Sequence, residues 1–170
     1  ELDLHHTILP LTGRAKPIAA ALFAAATPVA GTRFHVLCPV DQVLHACAQL
    51  FQDSDCAGRL RDLVDIDSLL RELGAAEDFW PTLLMRARLH GLVRPLGYAL
   101  RYAGRLLDTD VPREVLAEIS PAPARVVMDR LVPLALLPTH PDRAPPLPER
   151  AARWLLFLRS HWLRMPPWLL

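Results

Sequence analysis

The chain has 170 residues, 52% of them hydrophobic, and its 19 basic and 18 acidic residues leave a formal charge of +1. That length suits one domain with an ample core, while near neutrality, dispersed basic residues and few aromatics argue against a nucleic-acid partner. No apolar run approaches the roughly 20 residues needed to span a bilayer, and nothing at the start resembles a signal peptide. The three cysteines, Cys38, Cys47 and Cys56, form neither a Cys-x-x-Cys pair nor a metal spacing with histidine, and read as reduced thiols of a cytoplasmic protein.

The opening residues Glu1, Leu2, Asp3, Leu4, His5 and His6 alternate as a strand does, with Leu2 and Leu4 on one face and Glu1, Asp3 and His5 on the other. By pattern alone this is the solvated side of a half-buried strand. Because the pattern begins at Glu rather than Met, the chain reads as a fragment or a processed form. Pro17 opens an alanine-rich helix over residues 18–26, Pro28 and Gly31 make a turn, and residues 32–37 read as a second strand able to pair with the first. Pro39 starts a helix with Asp41 in its first turn, where a carboxylate meets the positive end of the dipole. Val40, Val43, Leu44, Cys47, Leu50 and Phe51 form its buried stripe, with His45 and Gln49 on a shared face beside it.

Residues 59–73 predict a helix whose core stripe is Leu60, Leu63, Val64, Leu70 and Leu73, stopped by Gly74. Arg61, Asp62 and Asp65 cluster on adjoining faces, which by spacing alone is a solvent face laced by ion pairs. Eight carboxylates against three arginines lie between residues 53 and 78, whereas basic residues dominate after His140; such segregation marks different solvated faces. Helices follow over 79–90, with Asp78 as N-cap, and over 95–107, with Leu96, Ala99, Leu100, Ala103, Leu106 and Leu107 inward. Gly97 and Gly104 in the latter mark close helix contacts, and His90, Tyr98 and Tyr102 read as packing or capping residues. Residues 112–119 and 124–137 form two more helices, the second kinked at Pro133, and residues 138–148 an exposed linker. The last helix, 149–164, carries Trp154, Leu155, Leu158 and Trp162 on one side, flanked by Arg153 and Arg164. That pattern reads as core packing, with contact to an anionic membrane surface the lesser alternative. Trp168, Leu169 and Leu170 leave an apolar tail that must dock or be covered.

Carboxylate-Leu-His on the opening strand, the helix of Arg61, Asp62, Leu63, Val64, Asp65, Ile66 and Asp67, the segment Pro39, Val40, Asp41, Gln42, Val43, Leu44 and His45, and the closing run Arg159 to Pro167 together resemble the C-terminal half of the uncharacterised bacterial nucleotidyltransferase family, with its polymerase-β-like core. The resemblance implies transfer of a nucleotidyl group from an NTP, with Mg²⁺, to an acceptor it does not specify. It implies Asp3 as the third metal-binding carboxylate, Glu1 as a second metal ligand and His5 as its catalytic neighbour. It also places Arg61, Asp62 and Asp65 at the nucleotide cleft or bracing the strand. The family's glycine-serine turn and the paired carboxylates after it are absent from this sequence, so the isolated chain is expected to be inactive and to hold no metal firmly.

The expected fold is mainly α, a helical domain with a small β element of one or two strands at the N-terminus. Residues 1–37 would be the remnant of the catalytic sheet with a short helix, 38–137 the helical domain, 138–148 the linker and 149–170 the terminal amphipathic helix and tail. The alternative reading is a helical module without catalysis, binding a protein partner through the acidic patch or the C-terminal tail.

Overall fold

A computed structural model describes residues 7–119, 125–137, 142 and 144–165. It is mainly α, as expected. Helix α1 spans Ala19–Ala24, α2 Pro39–Ala48, α3 Leu60–Leu73, α4 Phe79–Leu89, α5 Val93–Leu107, α6 Arg113–Ile119, α7 Arg125–Leu136 and α8 Leu147–Arg164. Strands β1, Thr27–Pro28, and β2, His35–Val36, pair antiparallel with Thr27 opposite Val36. The strand expected over 32–37 is therefore a short hairpin arm whose partner is the segment just before it. Gly31 turns the hairpin at φ 72°, a left-handed conformation that glycine adopts without cost. The expected strand of residues 2–6 lies outside the described residues.

Helix α2 is the central element, packing against α3, α4 and α5. Val43, Leu44, Cys47, Leu50 and Phe51 are fully buried, so its predicted stripe stands. Beyond Ala48 the helix widens into a π-helical turn, Gln49–Asp53. Wide turns release carbonyls from the usual ladder. Here the Leu50 carbonyl accepts from Ser54 Oγ at 2.7 Å and from Cys56 Sγ at 3.2 Å, and the Phe51 carbonyl accepts from Arg159 Nη1 at 2.8 Å. Phe51, Tyr98 and Tyr102 stack beneath this turn with ring centroids about 6 Å apart. All three cysteines are free.

The structure revises several expectations. In α3, Val64 is 40% exposed and Ile66 fully buried. The helix lies between α2 and α5, so its inward stripe runs through Leu63, Ile66 and Leu70 and leaves Val64 outside it. Asp78 occupies the N-cap of α4 without a side-chain bond to the helix. A Cβ on Gly104 would meet only the Thr109 carbonyl at 3.6 Å, so this glycine borders the turn after α5 rather than another helix. Helices α5 and α8 begin two residues before the positions expected from Pro95 and Glu149, because proline is tolerated in a first turn. Pro148 accordingly belongs to α8, not to a linker.

The largest revision concerns α8. Its packed face is Ala152, Leu156, Ser160 and Leu163, whereas Trp154 and Trp162 are 60% and 51% exposed and Leu155 and Leu158 are also exposed. Both faces are apolar, and the pairing with α7 selects the one whose small Ala152 and Ser160 allow close approach. Trp162 is partly covered by the Arg14 guanidinium, 4.1 Å above its ring, and Arg14 Nε donates to the Trp162 carbonyl at 2.7 Å.

The revised α3 stripe makes a direct forecast. Ile66→Ala should cost about 2–5 kcal/mol and Val64→Ala within about 0.5 kcal/mol of unfolding free energy. Urea denaturation of the two variants is the check, and equal losses would restore the stripe read from periodicity.

Candidate functional site

Helix α1, the hairpin and the outer face of α2 border a half-open cavity of about 710 Å³. Its walls are Ala19, Leu22 and Phe23 from α1, Ala26 just before β1, His35 and Val36 from β2 with Leu37 after it, His45 and Gln49 from α2 and its π-helical turn, and Thr7 and Ile8 from the N-terminal segment. The alanines that favour helix in α1 also leave this space, because they fill little of it. Gln49 closes one corner by donating from Nε2 to the Ile8 carbonyl at 3.3 Å. The Thr7 hydroxyl is buried with no hydrogen-bond partner, an arrangement that costs stability unless another polar group meets it.

Behind this wall lies a buried charged cluster. Asp41 is completely buried, and Arg86 of α4 grips it with both arms of its guanidinium, Nε lying 2.8 Å from Oδ1. The same guanidinium donates to the Ala21 carbonyl of α1 at 3.2 Å. His90, just past α4, is buried too, and its Nδ1 accepts the Ile18 N–H at 3.2 Å. Two bonds therefore hold α1 against α2 and α4, one at the helix start and one within it. Accepting at Nδ1 requires the neutral tautomer protonated at Nε2, and burial, together with the Arg86 charge, holds the His90 pKa below its ordinary 6.5 despite nearby Asp41. Asp41 in turn raises the Arg86 pKa by hydrogen bonding. Burial raises that of the Cys38 thiol beside Asp41, which keeps it protonated and poorly nucleophilic.

Two other cavities carry different chemistry. One, of about 670 Å³, is lined in part by Arg101, Arg105 and Arg113. Asp129 already binds Arg101 through two bonds of 2.7 and 2.5 Å and Arg105 at 2.9 Å. Those guanidiniums, led by Arg101, hold the Asp129 carboxyl below its usual range. The other, of about 530 Å³, lies between the end of α3 and Thr109 and includes Arg71 and Trp80. Arg71 is held there by Asp67, which also accepts from Thr109 Oγ1 at 2.6 Å.

The residues expected at the site fall into two groups. Glu1, Asp3 and His5 lie outside the described residues. Arg61 and Asp65 are exposed on α3, and Asp62 is partly exposed and paired with Arg59. None of these three lines any of the three cavities. Asp41, Arg86 and His90 were not joined by sequence reasoning, since Asp41 reads as a first-turn carboxylate and its partner is 45 residues away. An acidic residue between Val40 and Val43 on a strongly apolar helix was the available signal.

Comparison with known proteins assigns the class. Residues 1–108 match the model of a family described as uncharacterised nucleotidyltransferase, and the chain belongs to that family. The matched segment runs from the first residue through α5, so it includes the cavity and the charged cluster behind it, while α6 to α8 and the run Arg159 to Pro167 lie beyond it. Searches of curated proteins and of solved structures found no match.

Two forecasts follow from the cluster. Asp41→Leu or Arg86→Met alone leaves a buried charge unpaired and should cost about 3–5 kcal/mol, whereas the double variant should recover much of that loss; a double-mutant cycle in urea reads the difference. The second concerns pH. A histidine pKa lowered in the fold contributes stability that is complete above the unfolded value of about 6.5 and is lost as pH falls below it toward the folded value, because the unfolded chain takes up the proton first. Unfolding free energy should therefore decline from pH 7 toward pH 5, and His90→Asn, whose side-chain oxygen can still accept from Ile18, should flatten that decline. An unchanged slope in the variant would remove His90 as its source.

Proposed function

We propose that this chain is the part of a Mg²⁺-dependent, polymerase-β-like nucleotidyltransferase that completes its catalytic site, transferring a nucleotidyl group from an NTP to an acceptor in the cytoplasm. Membership of the nucleotidyltransferase family carries this reading. Thr7, a wall of the cavity beside α1, follows Asp3 by four residues in the chain. A four-residue connection reaches at most about 14 Å, which supports reading the proposed catalytic carboxylate together with the cavity.

Among the described residues no three His, Cys, Asp or Glu side chains come together as metal ligands. The carboxylates of Asp3 and Glu1 would supply the hard oxygen donors that Mg²⁺ prefers, and the bound ion would gather the triphosphate and offset charge developing on it. Asp3 stands between Leu2 and Leu4 in the sequence, and on a strand with both leucines buried its carboxylate would be fixed before the reaction begins. His5 orients Asp3 or meets phosphate. Arg61, Asp62 and Asp65 are candidates for nucleotide contact along the outer face of α3, Arg61 offering the one positive charge among them. With its paired carboxylates supplied from elsewhere, the chain alone binds metal weakly and turns over no nucleotide.

A second reading is favoured by the exposed apolar face of α8. Trp154, Leu158 and Trp162 recur every four residues along it, the spacing by which one helix offers anchors to another protein. In that reading the chain binds a protein partner without catalysis.

Asp3→Asn keeps the shape of the side chain and removes its charge. In the complete protein it should abolish pyrophosphate release from NTP at saturating Mg²⁺ while leaving the melting temperature unchanged. Equal activity in the two forms would refute the assignment of Asp3 and favour the interaction module.

A further inference from the structure

The cavity between α5, the turn after it and α6 collects positive charge. Arg101 and Arg105 of α5 and Arg113 of α6 all line it, and Asp129 of α7 is the carboxylate that meets the first two. Oδ1 of Asp129 accepts from Arg101 Nε at 2.7 Å, from Arg105 Nη1 at 2.9 Å and from the Tyr102 hydroxyl at 3.3 Å. Oδ2 accepts from Arg101 Nη2 at 2.5 Å. One carboxylate is thus shared by two guanidiniums, each with five N–H donors, so both keep donors for a further acceptor. Both also stay within reach of solvent, the side chain of Arg101 being 27% exposed and that of Arg105 47%. Arg113, exposed on α6, stands outside that network. The hollow itself comes from α5. Gly97, Arg101, Gly104 and Arg105 share one face by helical spacing, and a Cβ on Gly104 would meet only the Thr109 carbonyl, at 3.6 Å. The two glycines leave the space that the arginines border. Helix α6 gives Arg113, Leu116 and Ala117 to the wall, while its Glu118 is bound to Arg88. Asp110, just past Thr109, lines the neighbouring cavity with Arg71. Residues 120–124, which follow Ile119 of the wall, are Ser, Pro, Ala, Pro and Ala and bring no opposing charge.

We propose that this cavity is a phosphate site, in which Arg101, Arg105 and Arg113 grip the phosphate group of a small anionic ligand. Three guanidiniums against one carboxylate leave two positive charges in surplus, which matches the double charge of a phosphate monoester above its second pKa of about 6. Like charges bordering one space repel, and an anion between them removes that cost. Guanidinium forks pair with phosphate oxygens through two N–H bonds at once. Asp129 holds two of the forks before the ligand arrives, so little side-chain freedom is lost on binding. Leu100, Val111 and Leu116 offer an apolar wall for the body of an ester, and about 670 Å³ is room for a small molecule. The site shares no wall residue with the cavity beside Thr7, and the inference assigns it no step of nucleotidyl transfer. A phosphate held here bridges α5, inside the family match, to α6 beyond it.

Isothermal titration calorimetry on the 170-residue chain at neutral pH without Mg²⁺ tests the proposal, with phenyl phosphate, inorganic phosphate, ATP and phenol as probes. The expected result is saturable one-to-one binding of phenyl phosphate, at least about tenfold tighter than that of phenol and weakened by added salt. Arg113→Gln should weaken it about tenfold by removing one charged donor. Ala117→Glu, at an exposed position of the wall, should do the same by placing a carboxylate among the arginines. Both positions are exposed, so both variants should keep the melting temperature, and where one does not fold the other decides. Arg150→Gln removes the same charge from an exposed position on α8 outside the wall and should bind phenyl phosphate as the unaltered chain does. Weakening in either folded variant, with Arg150→Gln unchanged, upholds the site. The probes then separate its sources. Inorganic phosphate binding as tightly as phenyl phosphate assigns it to free phosphate, tighter phenyl phosphate to an ester, and ATP tighter than both to the triphosphate of a nucleotide. No saturable binding of any phosphate compound, phenol binding as tightly as phenyl phosphate, unchanged binding in both wall variants, or equal weakening in Arg150→Gln would overturn the proposal.

Discussion

The contact between Arg86 and Asp41 decides where the cavity-forming elements can sit. Asp41 is wholly buried near the start of α2, and an isolated carboxylate could not remain ionised there. Arg86 neutralises it through two bonds and then extends to the Ala21 carbonyl of α1. Helix α1 is only six residues long, too short to be stable by its own hydrogen bonds. Its hold on the protein comes from Leu22, from Arg86, and from the Ile18 N–H bonded to His90. The cavity exists because this small helix is pinned from behind by polar bonds while its other side presents alanines.

Among the described residues the cavity wall holds no Lys, Arg, Asp or Glu. A guanidinium with a free arm beside α1 would give the space an anion-binding character, but Asp41 and a backbone carbonyl occupy it. Charge is placed instead in networks away from the cavity: Asp129 between Arg101 and Arg105, Asp67 between Arg71 and Thr109. Those pairs lower both carboxyl pKa values, Asp129 chiefly through its bond to Arg101 and Asp67 through Arg71 and Thr109 against the opposing effect of burial. Both networks bind one element to another. They join α5 to α7, and α3 to the turn after α5.

How far the sequence disclosed this depends on the kind of signal. Helices announced by proline starts and long apolar stripes, α2 and α5 above all, were legible with their core residues, because burial on one face leaves a periodic trace. In α3 the trace was ambiguous: Val64 and Ile66 are equally apolar, and only the angle at which α2 and α5 approach decides which is covered. Helix α8 misled more strongly, since larger side chains sit on its exposed face and smaller ones on its packed face. The π-helical turn left no mark at all. For the site, His45 and Gln49 were placed together on one face by their spacing, as the cavity confirms, but the link from Asp41 to Arg86 spans three elements and has no local pattern.

The part of the chain beyond the family match is tied to the site through that π-helical turn. Arg159 of α8 reaches back to the Phe51 carbonyl and lies over Tyr98, 5.5 Å from the ring centre. Burial lowers its pKa, so its charge is held at a cost that the carbonyl and the ring offset. Without a donor there, the Phe51 carbonyl, freed from the α-helical ladder by the wide turn, would be left to find another partner, and the turn would tend to close to ordinary α geometry. A residue of the last helix thereby satisfies a carbonyl of the turn that begins at Gln49, itself a wall of the cavity, and so ties α8 to the elements that form it.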